Sequence, residues 1–162
     1  MVSQKITRAN ASRFFVAGEL SRRGYSVNVT TGKTSDAHVH CSNAEGTKTV
    51  QIYVRTFEPG FNSCSVGAKA EEFFGDNFFW VLAGIPKPGG PGEFEYYVIP
   101  NRVMADNEPK YHRLWLETPG KNGRAHNDTT PRVVLLPPST SPFYWDVSGY
   151  RNNWDLIADK LS

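Results

Sequence analysis

YSVNVTTGKTSDAHVHCSNAEGTKTVQIYVRT (residues 25–56) reads as three consecutive strands. Tyr25, Val27 and Val29 alternate with polar residues up to a turn at Thr31 to Lys33. Ala37, Val39 and Cys41 then form one face of a second strand, with Asp36, His38 and His40 on the other. After a polar hairpin, Ser42 to Lys48, the residues Val50, Ile52 and Val54 alternate with Gln51, Tyr53 and Arg55. Successive strand residues point to opposite faces, so each strand has an apolar and a polar side. A short hairpin brings the polar sides of neighbouring strands onto one surface of the sheet.

Upstream, Asn10 to Arg23 reads as a helix, with Phe15, Glu19 and Arg22, and Val16, Leu20 and Arg23, recurring at helical spacing. Asn10 stands where an N-cap belongs and Gly24 where a left-handed C-terminal cap belongs. Gly18 inside the helix costs about 1 kcal/mol relative to Ala, which points to close approach of another element. Downstream, Gly67 to Phe74 is amphipathic enough for a helix, and Asn77 to Ile85 is a nearly continuous apolar run, as in a strand covered on both faces. PKPGGPG (86–92) is a turn, Phe94 to Pro100 the returning strand, and a hairpin the simplest pairing. Asn101 to Asp106 reads as one or two helical turns. Tyr111, Leu114 and Leu116 suggest a further strand or helix, Gly120 to Pro131 a loop, and Val133 to Leu136 a short strand. The last helix is expected from Gly149 to Leu161, capped by Ser148, with Tyr150, Trp154, Ile157 and Leu161 on one face.

Composition sets the bounds. The chain has 162 residues, the size of one domain, and its 39% hydrophobic and 13% aromatic content can build a core. Eighteen Lys and Arg against sixteen Asp and Glu give a net charge of +2, too little to call for a polyanionic partner. No apolar run approaches the length of a membrane span. The first residues lack the apolar core of a secretory signal, and two cysteines, Cys41 and Cys64, make neither a disulfide framework nor a metal clip. A reducing cytoplasm is the expected compartment, and the sequons at Asn28 and Asn127 are not read as glycosylation sites.

Helix, three-stranded meander, helix and two strands is the order of the restriction-endonuclease-like core, the PD-(D/E)XK fold, an α/β architecture on a mixed sheet. The residues resemble one branch of it, small stand-alone proteins found mostly in bacteria and archaea. FVAGELSRRGYSV (15–27) is similar to that branch's first helix, with Glu before an Arg-Arg-Gly ending. TTGKTSDAHVH (30–40) is similar to its turn and strand-opening Asp, and VQIYVRT (50–56) to its third strand. EYYVIPNRVM (95–104) and YRNNWDLI (150–157) resemble its later strand-then-helix segment and its tryptophan-bearing final helix.

The resemblance implies a site at Glu19, Asp36, Tyr53 and Arg55, with Asp36 and Glu19 as ligands of Mg²⁺ or Mn²⁺ and DNA as the substrate. Nucleases of this fold carry a second carboxylate or amide ligand where this chain has Tyr53, and a Lys where it has Arg55. Tyr53 is neutral at pH 7 and a poor ligand for a hard cation, and Arg55 does not give up its proton. Arg55 can still clamp a phosphate bidentately. The expectation is a nucleic-acid-binding or nucleic-acid-processing protein on a nuclease scaffold with degraded catalysis. Two alternatives stand beside it: an active Mg²⁺- or Mn²⁺-dependent endonuclease with migrated ligands, Gln51 among them, and a non-catalytic interaction or regulatory subunit, for example a homodimer.

Each candidate also has a plainer reading. Asp36 suits a turn, and Glu19 pairs with Arg23 four residues on for about 0.3–0.5 kcal/mol. Tyr53 is at home on a sheet, and Arg22 and Arg23 suit the helix C-terminus. Asp36, His38 and His40 step by roughly 7 Å along a strand, too far to grip one ion, so they read as a polar strand face. His126, Asn127 and Asp128 lack the hairpin-then-helix setting of an HNH nuclease. Trp145, Trp154 and Tyr150 read as core aromatics, and Glu71 and Glu72 as a solvated face.

Overall fold

The helix that precedes the meander begins earlier than its sequence pattern indicates. In the computed structural model, which describes residues 4–33, 37–129 and 131–162, α1 spans Gln4–Arg22 and buries Val16, Ala17 and Leu20. Asn10 is therefore not a cap. It lies inside the helix, and its Oδ1 accepts the Gly32 N–H at 3.0 Å. Gly24 does end the helix, with φ at 95°, where a side chain would be strained. The close approach expected at Gly18 is absent: nothing lies within 4 Å of where its Cβ would be.

The three strands pair as read, but Ala37, expected on the face of Val39 and Cys41, packs in the core on the opposite side of the sheet. Strands β1 (Ser26–Val29), β2 (Val39–Ser42) and β3 (Thr49–Phe57) pair antiparallel, with Val27 opposite Cys41 and Val39 opposite Ile52. The chain then makes a short strand β4 (Ser63–Ser65) and a single 3₁₀ turn, Ala68–Glu71, where a helix from Gly67 to Phe74 was expected. Glycines with φ of 80° and 139°, Gly67 and Gly75, bracket this segment, and the backbone turns extended at Glu72 (φ −98°, ψ 140°) after one turn. Strand β5 (Phe78–Gly84) runs parallel to β3, and β6 (Glu95–Pro100) returns beside it as the expected hairpin. The sheet order is β1-β2-β3-β5-β6.

Next comes α2 (Asn101–Glu117), which runs through Pro109 to three times the length that its first residues indicated. Proline forfeits one helical hydrogen bond and crowds the preceding turn. Packing outweighs that cost, because Met104 and Glu108 are buried and Tyr111 packs against the core. Strand β7 (Val133–Leu135) pairs antiparallel with β4 in a separate two-stranded sheet. The final helix, α3 (Asp155–Leu161), is half as long as expected. Ser148–Tyr150 forms a 3₁₀ turn instead, and Asn152, at φ 50°, breaks the path between the two.

All seven residues of β5 are buried. Its alternate side chains feed two cores, one on each face of the sheet. Phe79, Val81 and Ala83 join Val50, Ile52 and Val54 under α1 and α3, whereas Phe78, Trp80 and Leu82 join Tyr53, Phe57, Met104 and Trp145 on the other side. Trp154, Ile157 and Leu161 belong to the first core, while Tyr150 packs on the second. Cys41 and Cys64 are free, buried, and on opposite faces. Among the described residues, no helix is long and apolar enough to cross a membrane. The result is a mixed α/β fold with a leading helix, a strand meander and a C-terminal helix.

Candidate functional site

Strands β2 and β3 part company at His38. Its backbone N–H still reaches the Ile52 carbonyl at 2.9 Å, but β3 continues to Phe57 paired on its other edge with β5 and no longer with β2. The Val54 N–H is therefore left without a strand partner, and the His38 imidazole supplies one: Nδ1 accepts it at 3.0 Å. The same Nδ1 lies 3.1 Å from the Val54 carbonyl. Burial, and then the positive charges of Arg13, Arg55 and Lys69, push the His38 pKa down to about 4. His38 was read as part of a polar strand face; it is buried, while His40 is exposed and sits opposite Gln51.

The fork opens into a cleft of about 1490 Å³ between the first half of α1, the loop after β1, the end of β3 and the β4 segment. Its walls carry Lys5, Arg8, Arg13, Lys33, Arg55 and Lys69, against one described carboxylate, Glu58. Arg13 is 6% exposed. Its Nη1 donates to the carbonyls of Thr30 and Gly32 at 2.7 and 2.9 Å, which, with Asn10, ties α1 to the loop after β1. Burial, and then the charge of Arg55, lower its pKa from the usual arginine value. Among the described residues, Arg13 Nε has no acceptor, and neither does Nε1 of Trp80, which also lines the cleft.

Tyr53 and Arg55, two steps apart on β3, both reach the cleft. The Tyr53 ring is buried among His38, Phe74, Phe78 and Trp80, and its hydroxyl accepts from Lys69 Nζ at 3.0 Å. The guanidinium of Arg55 lies over Gly67. A Cβ there would come within 2.9 Å of Nη2, so the glycine makes room for the arginine. Among the described residues, the Arg55 side chain has no hydrogen-bond or ion-pair partner.

The other predicted residues are placed differently. Glu19 does not line the cleft; it lies six residues, about 9 Å, beyond Arg13 along the helix. Its carboxylate is held by Arg22 at 2.7 Å and Arg23 at 2.8 Å, and Arg23 in turn lies over Trp154 in the other core. The hydrogen bond from Arg22, above all, lowers its pKa. This is the helix pairing that its spacing to Arg23 indicated. Gln51 is exposed and also lies outside the cleft lining. Asp36 lies outside the described residues. Arg13 and His38, which sequence reasoning did not select, come into the cleft through the helix-to-loop tie and the strand fork.

The described lining does not suit Mg²⁺ or Mn²⁺. Such ions take charged oxygen ligands, whereas the two β3 positions present a phenol hydrogen-bonded to an ammonium and a guanidinium. Among the described residues, no three His, Cys, Asp or Glu side chains form a metal-binding group. His112 bonds Asp128 at 2.9 Å and His126 stacks on Trp115 at 3.8 Å. Glu71, read as solvated, pairs with Arg132 at 2.7 Å. What the cleft can do chemically is hold an anion: it offers fixed positive charge and hydrogen-bond donors.

No family model matches the sequence, and no curated protein matches it. Among solved structures, the bacterial homing endonuclease I-Ssp6803I superposes with a TM-score of 0.58, over 99% of this chain and 95% of that one, at 15% sequence identity. At that identity the likeness is one of fold: this chain shares the nuclease-like mixed α/β architecture of that endonuclease.

Proposed function

We propose that this chain binds nucleic acid through the cleft at the β2–β3 fork, on a restriction-endonuclease-like, PD-(D/E)XK scaffold whose metal chemistry is degraded. The observation that carries this reading is the charge of the walls, six cationic side chains against one described carboxylate. Phosphate contacts supply most of the affinity of proteins for nucleic acid, and a groove lined in this way tracks a phosphate backbone. The fold shared with an endonuclease supports the same substrate class. Arg55 holds and orients a phosphate but cannot serve as a base, since it stays protonated. The Tyr53 hydroxyl accepts a hydrogen bond from Lys69. Asp36 and Glu19 are the acidic residues that match the family pattern.

Fluorescence anisotropy with labelled duplexes at several salt concentrations tests the reading. The logarithm of the affinity should fall linearly with the logarithm of salt, and Arg55→Ala should weaken every sequence tested by about tenfold and reduce the slope by about one. Affinity that ignores salt, or the absence of duplex and single-strand binding, overturns it. Nicking of supercoiled plasmid in Mg²⁺ or Mn²⁺ that is lost in Asp36→Asn would instead establish the active endonuclease. A stable dimer with no nucleic-acid affinity would establish the interaction subunit.

A further inference from the structure

We propose that the cleft holds a metal-independent phosphate cradle: Arg55 and Lys69 take the charge of a backbone phosphate, while the indole N–H of Trp80 and the Nε–H of Arg13 complete its hydrogen bonds. The inference rests on the nucleic-acid reading and says how the site works without an ion.

Two side chains that line one cavity carry buried donors. Trp80 is 1% exposed and Arg13 6% exposed, yet among the described residues Trp80 Nε1 and Arg13 Nε have no partner. Buried donors are rarely left so, because desolvation without a replacement bond is costly. Both groups are donors, so what they lack is an acceptor. The surroundings say what kind. Arg13, Arg55 and Lys69 all act on His38 with positive charge, and Arg55 acts on Arg13 in the same way. A neutral acceptor would satisfy the N–H groups and leave those like charges facing each other. An oxyanion answers both needs, and a tetrahedral phosphate can accept from several directions at once.

Local packing keeps the cradle in place. Gly67 leaves the space that Arg55 fills. Lys69 is anchored by the Tyr53 hydroxyl, the Tyr53 ring lies 5.0 Å from that of Trp80, and Arg13 is held by two loop carbonyls. Of these groups, Tyr53 and Arg55 occupy the β3 positions at which nucleases of the resembled fold gather a metal ligand and a lysine. Fixed cations thus stand where an ion would bridge protein and phosphate.

The test is a titration of the whole chain with inorganic phosphate in excess EDTA, read by the indole N–H resonances in ¹H–¹⁵N spectra. The Trp80 signal should move downfield and saturate, and phosphate should displace labelled duplex. Arg55→Gln, checked for native far-UV CD, should weaken phosphate and duplex binding together, by about tenfold or more. Oligonucleotides with and without a 5′ phosphate then distinguish an internal phosphodiester, displaced equally by both, from a terminal phosphate, for which only the phosphorylated one competes; either result supports the cradle. A Trp80 resonance unmoved by phosphate overturns it, as does binding that requires Mg²⁺ or is unchanged in Arg55→Gln. Salt-dependent duplex binding without phosphate competition would sink the cradle and leave the nucleic-acid reading standing. Phosphate binding in a protein with no affinity for DNA or RNA would do the reverse.

Discussion

Glu108 is a carboxylic acid in the wrong surroundings for a charge. It is 3% exposed, its Oε1 accepts from Trp145 Nε1 at 2.9 Å, and burial pushes its pKa from 4.5 up to about 7. Between those two values the folded protein keeps a proton that the unfolded chain releases. Stability must therefore fall as pH rises through that window, by on the order of 3 kcal/mol in all. Glu108→Gln keeps the acceptor for Trp145 and removes the titration. Urea unfolding at about pH 4.5, 6 and 8 should show a flatter profile and higher stability at the alkaline end. A variant with the parent's slope would mean that the carboxyl titrates normally. Site residues were legible to the extent that strand alternation reports them: it placed Tyr53 and Arg55 on one face, and both line the cleft. It could not report that β2 leaves β3 at His38, because a fork is a property of two strands and periodicity is a property of one. Arg13 was hidden for a similar reason, since its partners are carbonyls of a loop about twenty residues away.

Among the elements, α1 shows how a sequence signal can be right in kind and wrong in cause. Gly18 is a helix-interior glycine, and such residues are often kept for close packing. Here the position is exposed and open. Gly18→Ala is therefore expected to stabilise the protein by about 1 kcal/mol, raising Tm by roughly 2–4 °C in a scanning calorimeter. A lower Tm would show that something does approach that surface. Gly84 is the contrast, since a Cβ there would meet Phe57 at 2.7 Å and Glu95 at 2.8 Å. The meander and the β5–β6 hairpin were legible because their apolar alternation or continuity is written locally. The crossover and α2 were not. Four helical residues between two left-handed glycines look like a longer helix when only polarity is scored. Pro109 looks like a stop until the burial of Met104 and Glu108 around it is known.

At the scale of the whole molecule, the central strands belong to both cores, and this makes the two layers one thermodynamic object. Trp80 and Leu82 point to the α2 side, and Phe79 and Val81 to the α1 side, from the same stretch of backbone. Neither layer can lose β5 and stay folded, so opening either should open both. Leu82→Ala, a fully buried change on the α2 side, should cost about 2–5 kcal/mol. Native-state hydrogen exchange then gives a sharp reading. Protection of the β5 amides and of Val16 and Leu20 in α1, which belong to the other core, should fall by the same amount. If the α1 amides keep the parent's protection while β5 loses it, the layers unfold separately. The outcome bears on the cleft, whose walls come from α1, β3 and the β4 segment. Only if the layers rise and fall together are the Arg13 side and the Arg55 side held in fixed register, which a bidentate grip on one phosphate requires.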